Sequence, residues 1–320
     1  RLTQVAAKGF LGKVYLTMAG FPLNDTAKKA EAQQLFKEVI DYATARNKYW
    51  MANMDAWNQS WLHENDNKYA IFEIQYITEA GQGNPMVTLT VPSNPGTDWC
   101  GNNLVTGTHV YIERGLQRHF IAKDEITGEY IDKRADGTLN LKETIDEDGN
   151  IVTSEGKTFY TKYFESKVKR AKFGMSDMDA TIVDRSYWPQ NFQLLRIEDI
   201  MLLYAECVGN TIEGRELVNK IRRRAGLADL DINLSEEEFQ KAVQDERRYE
   251  LAEEGVRWFD LVRRNEYVDT IKQMFINDDD TENGTYRQYA NRVNADMYLY
   301  PIPQSQIEVR KGLYTQNKGY

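Results

Sequence analysis

The residues best suited to holding a ligand lie in the run NPGTDWCGNN, where Trp99 is flanked by Asn94, Asp98, Asn102 and Asn103. An aromatic ring offers a flat apolar platform, and amide and carboxylate neighbours supply donors and acceptors. The C–H faces and hydroxyls of a sugar ring require that combination. His109 and Tyr111 follow closely enough to join the same face. A tryptophan that staples its own turn from beneath would show the same residues, so both readings stand. The other aromatic clusters read as packing. Tyr49, Trp50, Trp57 and Trp61 precede a strand and suit a buried connection, while Trp188 and Trp258 sit beside helical segments as core residues.

Other chemistries fall away on spacing. His63, His109 and His119 share no metal-ligand pattern, and Cys100 and Cys207 are too far apart for a metal or redox motif, so each reads as a buried free thiol. No cofactor is called for. Asp146, Asp148 and Asn150 open like a calcium loop, but Gly149 stands fourth and Ile151 stands where the sixth residue should be glycine, so a turn between strands is expected. Glu246, Glu250, Glu253 and Glu254 lie among Arg247, Arg248 and Arg257 at spacings that favour ion pairs along a helix. That set reads as scaffold rather than as a catalytic acid and base. Glu246, Glu250 and Arg257 are expected in a semi-buried network joining the last helices.

These candidates need elements to position them. Residues 1–46 read as a helical hairpin, with Ala7, Leu11, Val14 and Met18 recurring in the first helix and Ala32, Phe36, Val39 and Ala43 in the second. Asn24 and Asp25 can cap the second helix. Leu11, Gly12 and Tyr15 have the spacing of a tetratricopeptide first helix, which cannot bury both faces alone. An apolar surface at the amino-terminal end is therefore expected, with further repeats of the same protein upstream. Residues 47–187 read as a loop-rich, ligand-binding region: a strand over Tyr69 to Ile77 presents Phe72, Ile74 and Tyr76 on one side, and DGTLNL and DEDGNIV are turns feeding short strands. Residues 188–320 read as a helical scaffold with terminal loops. A helix buried on several sides runs from Phe192 through Glu206, and a second holds Leu217, Val218, Ile221 and Ala225 before a Gly226 cap. Ser235 and Glu238 form a capping box, with Leu234 and Phe239 at the staple positions, for a helix running towards Gly255. An apolar turn or short helix over Val256, Trp258, Phe259, Leu261 and Val262 follows. The fold class is thus mainly α, with tetratricopeptide-like hairpins and an irregular region containing short strands, all in one domain.

The formal charge of −9 disfavours nucleic acid as a partner, because backbone phosphates need clustered Lys and Arg. No apolar run of about 18 residues reads as a membrane span, and no secretory signal opens the chain.

Five segments carry a resemblance: IFEIQY at 71–76, QLLRIEDIMLLYAE at 193–206, NKIRRRAGL at 219–227, DERRYELAEEGVRWFDLVR at 245–263 and LYPIPQSQIEVRKGLYTQNKGY at 299–320. In that order they resemble the SusD/RagB family, and the chain looks like its carboxy-terminal three fifths. The family pattern has Pro before the last Gly-Tyr, where Lys318 stands here, and often Asn-Pro where Arg310 and Lys311 stand. The resemblance implies a superhelix of tetratricopeptide-like pairs supporting a loop-rich face, on a lipoprotein at the outer-membrane surface. It implies no enzyme, an oligosaccharide ligand, and a SusC/RagA-type TonB-dependent transporter as partner. The rival reading is a helical-repeat scaffold that binds peptide or protein and caps the transporter.

Overall fold

The computed structural model describes residues 2–62, 65–79, 81–91, 112–140, 143–145, 151–153, 159–165, 167–175, 188–277, 285–310 and 312–320. It is mainly α, as expected. Helices α1 (Gln4–Ala19) and α2 (Lys28–Ala45) form the first hairpin, with Thr3 capping α1 by accepting the Ala6 N–H at 3.2 Å. The packed face of α1 is built on glycine. A Cβ on Gly12 would stand 2.6 Å from the Phe36 ring, and one on Gly9 would stand 2.6 Å from Leu195. The buried stripe is therefore Val5, Ala6, Gly9, Gly12 and Leu16, and not the stripe that spacing picked out. Leu11 and Val14 face outward, 42% and 52% exposed, which supplies the expected apolar surface near the amino-terminal end. On α2 the periodic residues Ala32, Phe36, Val39 and Ala43 are all buried.

Asn24 and Asp25 do not cap α2. Ala27 holds the cap position with no side-chain hydrogen bond, while Asn24 takes a left-handed φ of +54° in the turn. The turn is instead tied across the molecule, where the Phe21 N–H donates to the Arg263 carbonyl at 2.8 Å.

Short elements follow, in keeping with a loop-rich stretch: α3 (Met54–Ser60), β1 (Ala70–Ile74), α4 (Val87–Thr90), α5 (Arg114–Ile121) and α6 (Ala135–Thr138). Next come β2 (Leu139–Asn140), β3 (Glu143–Ile145), β4 (Ile151–Thr153), β5 (Phe159–Tyr160) and α7 (Lys167–Lys172). Strand β2 pairs with β5, and β3 with β4, so the two turn-rich runs do feed short strands; residues 146–150, with the calcium-like run, lie outside the described residues. Ile71, not Phe72 or Ile74, is the buried residue of β1, because register shifts on both sides of Phe72 break the alternation.

The segment from Phe192 corrects a helical reading. Residues Phe192–Arg196 are strand β6, antiparallel to β1 with Phe72 opposite Leu195 and Ile74 opposite Phe192. A backbone partner more than a hundred residues away decides this, and local periodicity cannot register it. Helix α8 (Ile197–Val208) then begins, and every residue from Ile197 to Cys207 is buried, as an apolar run without a polar face requires. It packs on α2, α9 (Ile212–Arg224) and α10 (Glu236–Glu250). Helix α9 ends in a Schellman motif: the Gly226 N–H donates to Arg223 and the Leu227 N–H to Arg222, with Gly226 at φ +79°. The capping box of Ser235 and Glu238 is present on α10. That helix stops at Glu250, short of Gly255, and α11 (Arg257–Arg263), α12 (Tyr267–Asn277), α13 (Thr285–Ala290) and α14 (Gln304–Val309) complete the chain.

Trp57, Trp61 and Trp188 are buried, Trp57 and Trp61 beside Tyr163 and Met51 in a small core of their own, so their structural reading holds. Each such ring contributes roughly 1.5–3 kcal/mol or more on burial. Trp258 does not follow them. It is only half-buried, edge-on to Tyr267 at 5.8 Å. No described helix is long and apolar enough to cross a membrane.

Candidate functional site

The residues singled out for ligand stacking, Asn94, Asp98, Trp99, Asn102, Asn103, His109 and Tyr111, lie outside the described residues, as do Cys100 and His63. The positions flanking them are firmly anchored. On the amino-terminal side the Asn84 N–H donates to the Trp188 carbonyl at 2.7 Å, and its side chain donates to the Gln190 carbonyl at 2.8 Å. On the other side Glu113 caps α5, accepting the N–H groups of Gly115 and Leu116, each at 2.8 Å, and pairs with Arg248 of α10. His119 is committed to structure, with Nε2 2.8 Å from Asp132 Oδ2 and its ring stacked on Tyr249 at 3.5 Å. Cys207 is a buried free thiol pushed up to about 12 by burial. Among the described residues no group of His, Cys, Asp and Glu is arranged to hold a metal ion.

Glu246 and Glu250 of α10, with Glu254 in the turn beyond it, form a buried hub. Glu250 meets Arg134 at 2.8 Å, Arg196 at 2.7 Å and Arg224 at 2.6 Å, and all four side chains are at most 1% exposed. Glu246 meets Arg134 at 2.7 Å and Arg222 at 3.3 Å, and Glu254 meets Arg196 at 2.8 Å and Lys162 at 2.7 Å. The partners come from other elements rather than from along the helix, because these heads point into the core where β6, α9 and the start of α6 deliver their cations. Burial alone would raise the Glu250 carboxyl, yet Arg224, Arg196 and Arg134 hold it well below the usual carboxylate range. A second cluster is built around Arg247 of the same helix. Asp199 meets Lys13 at 2.7 Å and Arg247 at 2.8 Å, Arg247 meets Asp260 at 2.9 Å, and Arg263 meets Asp260 at 2.8 Å and also pairs with Glu206. The centre of the network at Glu250 is fully buried and its edges at Arg222 and Lys13 are partly exposed, and among the described residues Arg257 is not part of it. Carboxylates saturated in this way are held ionised and fixed, which suits a scaffold and not a proton-transferring pair.

The opposite face of α10 borders a groove of about 1110 Å³, closed by α11 and α12 and, at one end, by Glu113 and Tyr160. Here Arg257 and Trp258 line the wall, and the half-buried Arg257 guanidinium has no carboxylate or hydrogen-bond partner among the described residues. Burial and neighbouring Arg248 both push its pKa down. Glu253 lies on the same wall in a left-handed turn, φ +69°. One of its carboxyl oxygens accepts the Lys162 N–H at 3.0 Å and the other meets no donor, and burial pushes the group up to about 8. Sequence reasoning grouped Glu253 and Arg257 with the hub and Trp258 with the core. The signal it lacked was which glutamates the distant Arg134, Arg196 and Lys162 would occupy.

This architecture, a helical hairpin on a buried helical scaffold with a loop-rich middle, defines a class. The model of the SusD family matches residues 19–320, so the chain belongs to the SusD family. Among curated relatives, SusD-like protein P38 of Formosa agariphila is 37% identical over 92 residues, 25% of this chain and 18% of that protein. SusD-like protein P25 of the same organism is 29% identical over 139 residues, 40% of this chain and 24% of that protein. Among solved structures, a SusD homolog from Bacteroides thetaiotaomicron superposes with a TM-score of 0.74 at 20% identity, over 100% of this chain and 64% of that one. Surface glycan-binding protein A of Bacteroides thetaiotaomicron in complex with laminarihexaose gives 0.68 at 18% identity, over 99% and 64%. A laminarin binding SusD-like protein gives 0.64 at 20% identity, over 100% and 63%. The chain therefore spans less than two thirds of the relatives it matches.

Proposed function

We propose that the chain captures oligosaccharides at the outer-membrane surface and passes them to a SusC/RagA-type TonB-dependent transporter, without making or breaking bonds. The observation that carries this reading is family membership over residues 19–320. Fold neighbours that include a laminarin binding protein and a laminarihexaose complex support the glycan class. Saturation of the buried Glu250 by three arginines supports binding over catalysis. In this reading residues 47–187 carry the ligand face and 188–320 the scaffold, with Trp99 as stacking platform among Asn94, Asp98, Asn102, Asn103, His109 and Tyr111. The test is calorimetry against a glycan panel that includes laminarihexaose, run beside a peptide panel. Glycan binding that Trp99→Ala weakens by roughly 1–3 kcal/mol, the scale of aromatic stacking on bases, with unchanged melting, supports the platform. Unchanged binding with lowered stability makes Trp99 a turn staple, and binding of peptides alone sinks the glycan reading.

A further inference from the structure

We propose that the groove between α10, α11 and α12 is a subsite for an anionic saccharide, whose carboxylate or sulfate group pairs with Arg257. The proposal rests on the glycan-binding reading above but concerns a different surface from the Trp99 run. Its starting point is the unpaired guanidinium. Every other arginine of α10 and α11, and Arg264 beyond them, has an acidic partner: Arg247 has Asp199 and Asp260, Arg248 has Glu113, Arg263 has Glu206 and Asp260, and Arg264 has Glu266. Among the described residues, Arg257 alone of these is left half-buried without one. A charge drawn partly out of water and left unpaired is unfavourable, and an anion supplied from outside relieves it.

The acidic residues nearby do not satisfy this demand. Glu113, Asp260 and Glu266 are engaged by the arginines just named, and Asp245 is paired with Lys241 at 3.2 Å. Glu253, held neutral at pH 7, adds no charge to the wall. Glu237, Glu238 and Asp269 stand exposed at the rim, where water and salt screen them, and Glu238 is engaged with Ser235. Asp260, Asp245 and Glu266 attract Arg257 only from a distance, and each is paired with another cation. Trp258, next to Arg257 on α11, is half-buried and also lines the groove, where an indole suits sugar C–H groups. The volume of about 1110 Å³ is at the upper end of small-molecule sites and accommodates several sugar units. A fork-shaped guanidinium suits the planar carboxylate of a uronate and the oxygens of a sulfate ester alike, so the chemistry shared by both is what the wall reads.

The experiment is calorimetry on the full chain at pH 7 with three probes: laminarihexaose, chemically sulfated laminarihexaose and trigalacturonate. The expected result is salt-sensitive binding of at least one anionic probe, weakened about ten- to a hundredfold by Arg257→Gln and restored in part by Arg257→Lys. Whether the sulfated or the uronate probe binds names the anion. Arg223→Gln removes an exposed charge of α9, outside the groove, and leaves binding unchanged. Melting curves establish that the Arg257 variants are folded. Equal affinity of folded Arg257→Gln and the parent chain overturns the proposal. So does binding of laminarihexaose with neither anionic probe, which leaves the glycan reading standing; binding of no saccharide removes both. Arg257-dependent binding of poly-glutamate with no binding of either anionic sugar makes the groove a protein contact and overturns it as well.

Discussion

The two faces of α10 treat the same residue types in opposite ways. On the inner side Glu246 and Glu250 are each met by two or more cations, and on the groove side Arg257 of α11 and Glu253 in the turn before it have no ionic partner among the described residues. The inner face spends desolvation on fixing one arrangement of β6, α9 and α10. The outer face leaves charge unsatisfied where solvent and ligands can reach. Saturation marks the scaffold, and unpaired polarity marks a surface open to a partner.

The largest effect expected from breaking this contrast is at Glu250. Glu250→Gln leaves Arg134, Arg196 and Arg224 sharing too little negative charge in a site closed to water, so unfolding free energy should fall by about 3–5 kcal/mol in urea titrations. A loss under about 1 kcal/mol would show that the hub relaxes and that its inner-face character is overstated. The same face makes an acid prediction. Carboxyls depressed in the folded state contribute stability that is complete above their unfolded pKa near 4.3 and is lost as pH falls through the folded value. Glu206, which burial would raise but Arg263 holds down to about 2, sets the window with Glu250. Unfolding followed by circular dichroism should therefore set in between about pH 4 and pH 2.

Glu253 titrates with the opposite sign. Its folded pKa is raised to about 8, so between roughly pH 4.3 and 8 the folded chain holds a proton that the unfolded chain has released. Stability then declines as pH rises through that window and levels off above it. Glu253→Gln should abolish the decline and stabilise the chain by about 1–3 kcal/mol at pH 8.5, measured as the difference in urea midpoints at pH 5 and pH 8.5. A variant that is less stable than the parent at pH 8.5 would mean that Glu253 is ionised and paired, and the outer face would lose its distinction from the inner one.

Much of the scaffold was legible because its signals are local. The Ser235 and Glu238 box, the Gly226 terminator and the largely apolar α8 each depend on neighbours within a turn or two. What failed depends on distant contacts. Residues Phe192–Arg196 become a strand because Ala70–Ile74 pairs with them, and α1 turns Gly9 and Gly12 inward because Leu195 and Phe36 come close enough to need them. A glycine face carries almost no hydrophobic signal, so the bulkier Leu11 and Val14 stripe drew the assignment. The candidate site divides in the same way. Trp99 and its polar neighbours are visible as composition, but the unpaired state of Arg257 emerges only after Arg134, Arg196 and Lys162 have claimed the glutamates that precede it in sequence.

The smallest effect expected is at Arg257 itself, and it sharpens the contrast best. Arg196→Gln and Arg257→Gln remove the same charge from two sides of one scaffold, yet the first strips Glu198, Glu250 and Glu254 of a shared cation while the second strips no described residue of a partner. Thermal unfolding at pH 7 should show a loss of about 3–5 kcal/mol for Arg196→Gln. Arg257→Gln should stay within about 0.5 kcal/mol of the parent, or gain slightly as an uncompensated charge and its repulsion from Arg248 disappear. Both variants share the cost of a lost side-chain stem, so the difference between them isolates the pairing. If Arg257→Gln loses as much as Arg196→Gln, the guanidinium is held by the fold rather than left for a ligand, and the groove is one more part of the scaffold.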